Sequence, residues 1–460
     1  MVRNTFICGR FGRRTRLAGV VGVFVLLLTA PARAQSALPP PPAEPLTLPQ
    51  APRLALQNQP ALRQAAIDEA TNETDIGIGR AGWLPQVELA ASAQHYFGLP
   101  FAVFPNAQGA VVPVRIGLRN TSTTSLNASQ VLFNTDVLRA ARGVKSSREY
   151  FQQNTQLVRI GLVRNVSKAF YATLLADRQV AVFEQDIARL RRSLRDASER
   201  YNAGLVDKTD VLQADIALNT SIASRKQSQE AVKAQTAVLR EFLGLENDQP
   251  LGLTYDTLAL EAEAFVDTTG MPDAAGRVEV QQLQTQRRLL GLNVDYYRYG
   301  FLPTVAAFGT YNLTYQNNEF SELYSRSFPN SYAGVRLAMP LFQGTRRLQN
   351  LRRSRLLVDR LDQDVRATRY RITAQFATAR AAYVSAQTDF VTSRRNRESA
   401  SEVLRIIDLQ YREGLRAYLD VFVAQTTLRT AQLTYYSALF RLLSTKVDLL
   451  EARGELPTAY

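Results

Sequence analysis

Residues 201–211 read Tyr-Asn-Ala-Gly-Leu-Val-Asp-Lys-Thr-Asp-Val, and residues 411–421 read Tyr-Arg-Glu-Gly-Leu-Arg-Ala-Tyr-Leu-Asp-Val. Tyr201, Gly204, Leu205 and Asp210 thus return as Tyr411, Gly414, Leu415 and Asp420, offset by 210 residues. A glycine that ends one apolar periodicity and is followed within a few residues by another reads as the tip of a tight helical hairpin. Two such tips in one chain imply that the chain is two copies of one unit.

The flanks repeat as well. Trp83-Leu84-Pro85 returns as Phe301-Leu302-Pro303, and Val131-Leu132-Phe133-Asn134 as Pro340-Leu341-Phe342-Gln343, at offsets of 218 and 209. Between the Leu-Phe and Tyr-x-x-Gly landmarks the copies differ by one residue over about seventy, whereas between Leu-Pro and Leu-Phe they differ by nine. The first interval is a ruler and the second contains a variable loop.

The ruler reads as helix. Residues 343–411 hold one Gly and no Pro, and Leu351, Val358, Val365, Ile372, Ala379 and Ala386 recur every seven residues beside a column of Phe376, Tyr383 and Phe390. At 1.5 Å per residue such a helix extends about 100 Å, which calls for a coiled coil or a helical tube. Second helical stretches run from the tips to about Gly244 and Gly454.

The variable interval reads as strands. Val305, Ala307, Gly309, Tyr311, Leu313 and Tyr315 alternate with a more polar set, and Ala333, Val335, Leu337, Met339 and Leu341 alternate before Phe342. The first copy offers Val87, Leu89, Ala91 and Ala93, then a Thr/Ser-rich strand from Thr121 to Phe133. Strands of about 10 residues with one apolar and one polar face suit an outer-membrane barrel. Four strands cannot close one, because an open edge in lipid leaves backbone groups unpaired. Three copies would pool twelve.

The boundaries follow: a signal peptide over 1–34; a Pro-rich extended lead-in over 35–52; repeat 1 over 53–245, with a β-hairpin at about 86–133 and a tip at about 201–210; a linker over 246–276; repeat 2 over 277–453, with a β-hairpin at about 304–342 and a tip at about 411–420; and a tail over 454–460. In the first segment Arg3, Arg10, Arg13, Arg14 and Arg16 precede the uncharged run Leu17–Ala30, too short to span a bilayer as a helix, and Ala32-Arg33-Ala34 supplies a cleavage pattern. The Arg13-Arg14 pair leaves open whether the precursor takes the general or the twin-arginine route. The segment holds six arginines and no acids, so its removal leaves 49 basic residues against 41 acidic ones among 460 − 34 = 426. That mild surplus, interleaved with acids along helix faces, describes solvated surface and no nucleic-acid partner.

Several chemistries are excluded. Cys8 is the only cysteine and His95 the only imidazole, which removes disulfide frameworks, zinc fingers and multi-histidine metal sites. Gly77-x-Gly79-x-x-Gly82 fits a dinucleotide-binding expression, but it follows a helical pattern and leads into a strand, so no helix N-terminus receives a pyrophosphate. His95, beside Tyr96 and Phe97, suits an interfacial aromatic belt. Neither an enzyme nor a cofactor is expected.

Taken in order, the signal, helix, Leu-Pro, β-hairpin, Leu-Phe, long helix, Tyr-x-x-Gly-Leu, Asp-Val and helix, duplicated over about residues 50–453, are similar to the TolC family of outer-membrane efflux proteins. The resemblance implies a mixed fold: a homotrimer with a 12-stranded membrane β-barrel, four strands from each protomer, above a periplasmic helical tube. It also implies a passive exit duct in the outer membrane of a Gram-negative bacterium, with a periplasmic adaptor and an inner-membrane pump as partners. Its closed end would be held by polar links, with Tyr411 and Arg416 of the second tip facing Thr209 and Asp210 of the first, and Asp420 lining the entrance. The family's second acidic ring, three residues on, is replaced by Val423. Tyr201 is expected to pack its hairpin. Two alternatives are the exit duct of a protein-secretion system and a non-pore periplasmic coiled-coil scaffold; the alternating strands and Leu-Pro junctions argue against the scaffold.

Overall fold

The computed structural model describes residues 46–105, 111–246, 251–271 and 273–458. The signal segment, Cys8 and most of the lead-in lie outside them. The helices are α1 (Gln50–Asn58), α2 (Pro60–Ala81), α3 (Thr135–Asn202), α4 (Lys208–Leu243), α5 (Thr257–Glu263), α6 (Val278–Arg298), α7 (Arg346–Arg412) and α8 (Tyr418–Arg453). The strands are β1 (Gln86–His95), β2 (Phe101–Pro105), β3 (Val111–Arg115), β4 (Asn120–Phe133), β5 (Thr304–Asn317) and β6 (Ser327–Ala338). Among the described residues no helix is long and apolar enough to cross a membrane.

The two ruler helices hold 68 and 67 residues. In α7 one column of covered positions runs unbroken every seventh residue from Leu351 through Ile372 and Ala386 to Ile407. The second column changes side: Ser354, Leu361 and Thr368 lie three residues after a member of the first, whereas Phe376, Tyr383, Phe390 and Tyr411 lie four after. The changeover comes where α7 exchanges neighbours. Before it Arg287 of α6 grips Asp362, with contacts of 2.6 and 3.2 Å, and after it Arg441 of α8 meets Asp389 at 3.3 Å. A four-residue insertion in a heptad rotates the buried stripe, and here the rotation carries it from one partner helix to the other.

That level is also the centre of the core. Val166, Phe170 and Leu174 of α3, Leu239 and Leu243 of α4, Tyr383 and Phe390 of α7 and Leu439, Leu442 and Leu443 of α8 form one buried cluster. The segment 246–276 is more than a linker: Leu260 and Ala264 enter this core, and the Tyr383 hydroxyl donates to the Ala264 carbonyl and accepts from the Val266 N–H, both at 2.9 Å. Buried Arg277 donates to the Glu451 and Ala452 carbonyls at 2.6 and 2.8 Å, satisfying the C-terminal end of α8. The tail is docked too, with Gln156 donating to Thr458 at 3.0 Å.

Helix begins earlier than the lead-in boundary at residue 52. Leu46 bridges Leu253, and α1 starts at Gln50, with Pro52 in its first turn where no backbone donor is lost. Gln59 then turns extended before Pro60, which disfavours helix at the preceding residue, so the first helix is split.

β1, β4, β5 and β6 form one antiparallel sheet in the order β1-β4-β5-β6. One face carries a polar ladder, including Thr310 to Asn127 at 3.1 Å and Asn312 to Asn330 at 2.8 Å. The other presents Val87, Leu89, Leu126, Val335 and Leu337, all exposed. Two features depart from the sequence reading. The connection from β1 to β4 carries a small hairpin of its own, β2 with β3. The last strand starts at Ser327 and stops at Ala338, leaving Met339 and Leu341 outside it, since Pro340 brings no donor to a ladder.

The junctions Trp83-Leu84-Pro85 and Phe301-Leu302-Pro303 are turns between helix and strand, with Trp83, Leu84 and Phe301 exposed. Gly77 and Gly79 lie inside α2, and a Cβ at Gly79 would make ordinary contact with that of Ala140 in α3, at 3.4 Å. His95 Nδ1 lies 2.7 Å from Asn120 Oδ1, and its ring stands edge-on to Phe97.

Candidate functional site at the hairpin tips

The two tips share one backbone design. Gly204 and Gly414 adopt left-handed φ values of 74° and 75°. Leu205 N–H donates to the Arg200 carbonyl at 2.9 Å and Leu415 N–H to the Gln410 carbonyl at 2.8 Å; Gly204 and Gly414 donate to Tyr201 and Tyr411 at 2.9 and 3.0 Å. This pair of bonds closes a helix with a Schellman turn, which explains the Tyr-x-x-Gly-Leu spacing. Asp210 and Asp420 each lie in the first turn of the next helix, where a carboxylate complements the helix dipole.

The side chains break the symmetry. Tyr411 is buried, with a relative exposure of 6%, whereas Tyr201 is 43% exposed and does not pack its hairpin as expected. Tyr411 joins Tyr418, Val421 and Ala214 in a small core, its ring edge-on to Tyr418 with centroids 6.0 Å apart. Ala214 comes from α4, so this core ties the two hairpins together. Arg200 reinforces it: its guanidinium lies 4.4 Å above the Tyr411 ring and reaches the Arg412 carbonyl at 3.4 Å. Neither Arg200 nor Tyr418 was found from the sequence. Their signal is where the copies disagree: Arg200 pairs with Gln410, and Tyr418 with Lys208.

Within the protomer Arg416 does not reach Thr209 or Asp210. It donates to Gln410 Oε1 at 3.2 Å and meets Asp420 at 3.6 Å on its own tip. The Tyr411 and Tyr418 hydroxyls are buried without hydrogen-bond partners. Burial raises the Tyr411 phenol above its ordinary range and pushes that of Tyr418 up to about 12, and the nearby Asp210 carboxylate acts in the same direction on both. Asp210 is itself raised, by partial burial and then by Asp207. Among the described residues no cation pairs with it in the salt bridges of the chain. Thr209, Leu205 and Leu415 are exposed, and Val423, at the position of the missing acid, is 54% exposed.

A long double hairpin beneath a sheet with one apolar exposed face defines a class, the outer-membrane channels with a helical stem. The "Outer membrane efflux protein" family model matches residues 51–245 and 274–455, and the chain belongs to that family. Protein CyaE of Bordetella pertussis is 27% identical over 431 residues, spanning 91% of this chain and 86% of that one. Outer membrane protein TolC of Escherichia coli is 22% identical over 433 residues, 87% and 80% of the two chains. The crystal structure of the Campylobacter jejuni CmeC outer membrane channel shares the fold, with a TM-score of 0.69 at 17% identity, over 89% of this chain and 86% of that one. This protein is therefore an outer-membrane efflux channel, and it acts as a passive conduit rather than an enzyme.

Proposed function

We propose that three copies close a 12-stranded barrel above a common helical tube, which docks on a periplasmic adaptor and an inner-membrane pump and passes small toxic molecules to the exterior. The observation that carries this reading is the sheet order: β1 and β6 are both free edges, which a bilayer cannot leave unpaired. Apolar side chains left open near the tips support it: Leu212 and Ile216 on α4, and Leu419 and Val423 on α8, each pair one turn apart and more than half exposed. A tube built by lateral contact between protomers would cover them.

The tips are the gate of this proposal. Arg200 and the Tyr411–Tyr418 core fasten the two hairpins of one copy, and Arg416 exchanges Gln410 and Asp420 for Asp210 and Thr209 of the adjoining copy when the ring closes. The unpaired Asp210 carboxylate supports that exchange, because a guanidinium can serve a carboxylate and a hydroxyl together. Each charge-assisted bond contributes about 1.5–3 kcal/mol, and threefold repetition holds a narrow entrance that a docked partner can still open by binding the open form better. Conductance of the purified protein in planar bilayers tests this. Replacing Arg416 with Ser and Tyr411 with Phe together raises conductance at constant salt, whereas unchanged conductance returns both residues to surface and packing roles.

A further inference from the structure

The four strands of the main sheet carry two formally charged side chains, Glu88 and Arg336. Both lie on the face of the polar ladder, which a closed barrel turns to its lumen. Each sits on an edge strand: Glu88 is the third residue of β1, and Arg336 is the third from the end of β6. Within one chain they cannot meet. Glu88 lies opposite Asn127, Asn127 opposite Thr310 and Thr310 opposite Tyr332, so the row through Glu88 reaches β6 four residues short of Arg336 and three strands away.

Closure between copies changes this. β1 begins and β6 ends at the rim where the helices attach, so level strand ends place Gln86 of the next copy opposite Ala338. Antiparallel pairing then sets Glu88 of the next copy directly opposite Arg336. This register shifts the row by four residues per copy and twelve around the barrel. With a rise of about 3.3 Å and a spacing of about 4.8 Å, the strands tilt by about 35°, a tilt at which such barrels close. The shift must be even, since an odd one would turn the polar ladder toward lipid. A shift of six leaves the two side chains one diagonal step apart, still within reach of each other.

Arg336 is already held at this height. Its guanidinium lies 5.2 Å from the centroid of the Phe308 ring, and that ring lies across Gly334, where an added Cβ would stand 3.1 Å from it. We propose that Glu88 and Arg336 form an ion pair between copies on the lumen side of the β1–β6 seam and thereby fix the register in which the barrel closes. The inference rests on the three-copy reading above. Apart from this pair the seam has little to specify register, since β1 reads Gln-Val-Glu-Leu-Ala-Ala-Ser-Ala-Gln-His, largely small or uncharged.

Two measurements on the full-length protein test it, with Cys8 replaced by Ser. Glu88→Cys and Arg336→Cys are combined in one chain and treated in membranes with a thiol cross-linker spanning about 7–8 Å, the diagonal distance between paired strands. The single-copy band is lost to covalent two- and three-copy bands, while either single variant stays uncross-linked. A double variant that also stays uncross-linked overturns the pair. The particle mass, measured in parallel, separates the failures: three copies without cross-linking defeat this inference alone, and a monomer defeats the three-copy reading as well. Charge exchange gives a second readout. Arg336→Glu and Glu88→Arg each lower the yield of assembled particle and the two together restore it; no restoration in a chain that still reaches the membrane also overturns the pair.

Discussion

Asp186 shows how one buried residue can hold three long helices together. It lies in α3 with its side chain 2% exposed, accepts from Ser221 of α4 at 2.7 Å, and pairs with Arg189 at 3.1 Å and with Arg429 of α8 at 3.2 Å. Asp186→Ala leaves two poorly solvated guanidinium groups without their carboxylate, which costs about 3–5 kcal/mol and lowers the thermal unfolding midpoint of the purified protein. An unchanged midpoint would show that the cluster is solvated in the assembly. Gly244 and Gly454 make a matched test of backbone strain. Both are left-handed, with φ of 68° and 78°, so alanine costs about 1–2 kcal/mol at either. A Cβ at Gly244 would also stand 2.9 Å from the backbone carbonyl of Asn58, whereas at Gly454 it meets no backbone and only the Arg277 Cδ, at 3.2 Å. Gly244→Ala is therefore the more damaging, and equal losses of thermal stability would contradict the difference. The two glycines were legible as the ends of the second helical stretches, but Asp186 and the difference between the two glycines were not. A lone Asp on a helix rich in charge looks solvated, and the copies agree on the closing glycine while differing in what covers it.

At the scale of elements the legible parts were those set by periodicity. The seven-residue column of α7, the equal ruler lengths and the two Schellman tips follow from apolar spacing and from glycine, both local properties of the chain. The side change after Thr368 was half visible, as a Phe376–Tyr383–Phe390 column beside the first, but its cause is the exchange of α6 for α8, a tertiary fact. The β2–β3 hairpin was missed because Pro105 and Pro113 mark its short strands as loop. The ruler yields a prediction of its own. Removing one heptad from α7 and the facing heptad from α8 preserves the buried stripe and withdraws the second tip by about 10 Å while the first stays in place. Export fails although the protein reaches the outer membrane. Removing the equivalent heptads from α3 and α4 as well brings the tips level and restores more export than the single-hairpin deletion. An unimpaired single-hairpin deletion, measured as substrate efflux with surface protein confirmed, would show that tip alignment does not matter.

For the whole molecule, the alternating strands and the duplicated landmarks were enough to place the chain among the outer-membrane efflux channels. How the tips fasten was not legible, because it depends on where the two copies differ: Arg200, Tyr418 and Arg416 itself, which stands opposite Val206 in the repeat, all lie at such positions. The structure of one copy leaves two sheet edges unpaired, apolar stripes on α4 and α8 exposed and the Asp210 carboxylate without a cation among the described residues, and the three-copy proposal supplies a partner for each. The mass of the particle extracted into lipid nanodiscs tests that claim most directly. Three copies of the mature chain in a single stable species is the predicted result, and a stable monomer in the same lipid would contradict it.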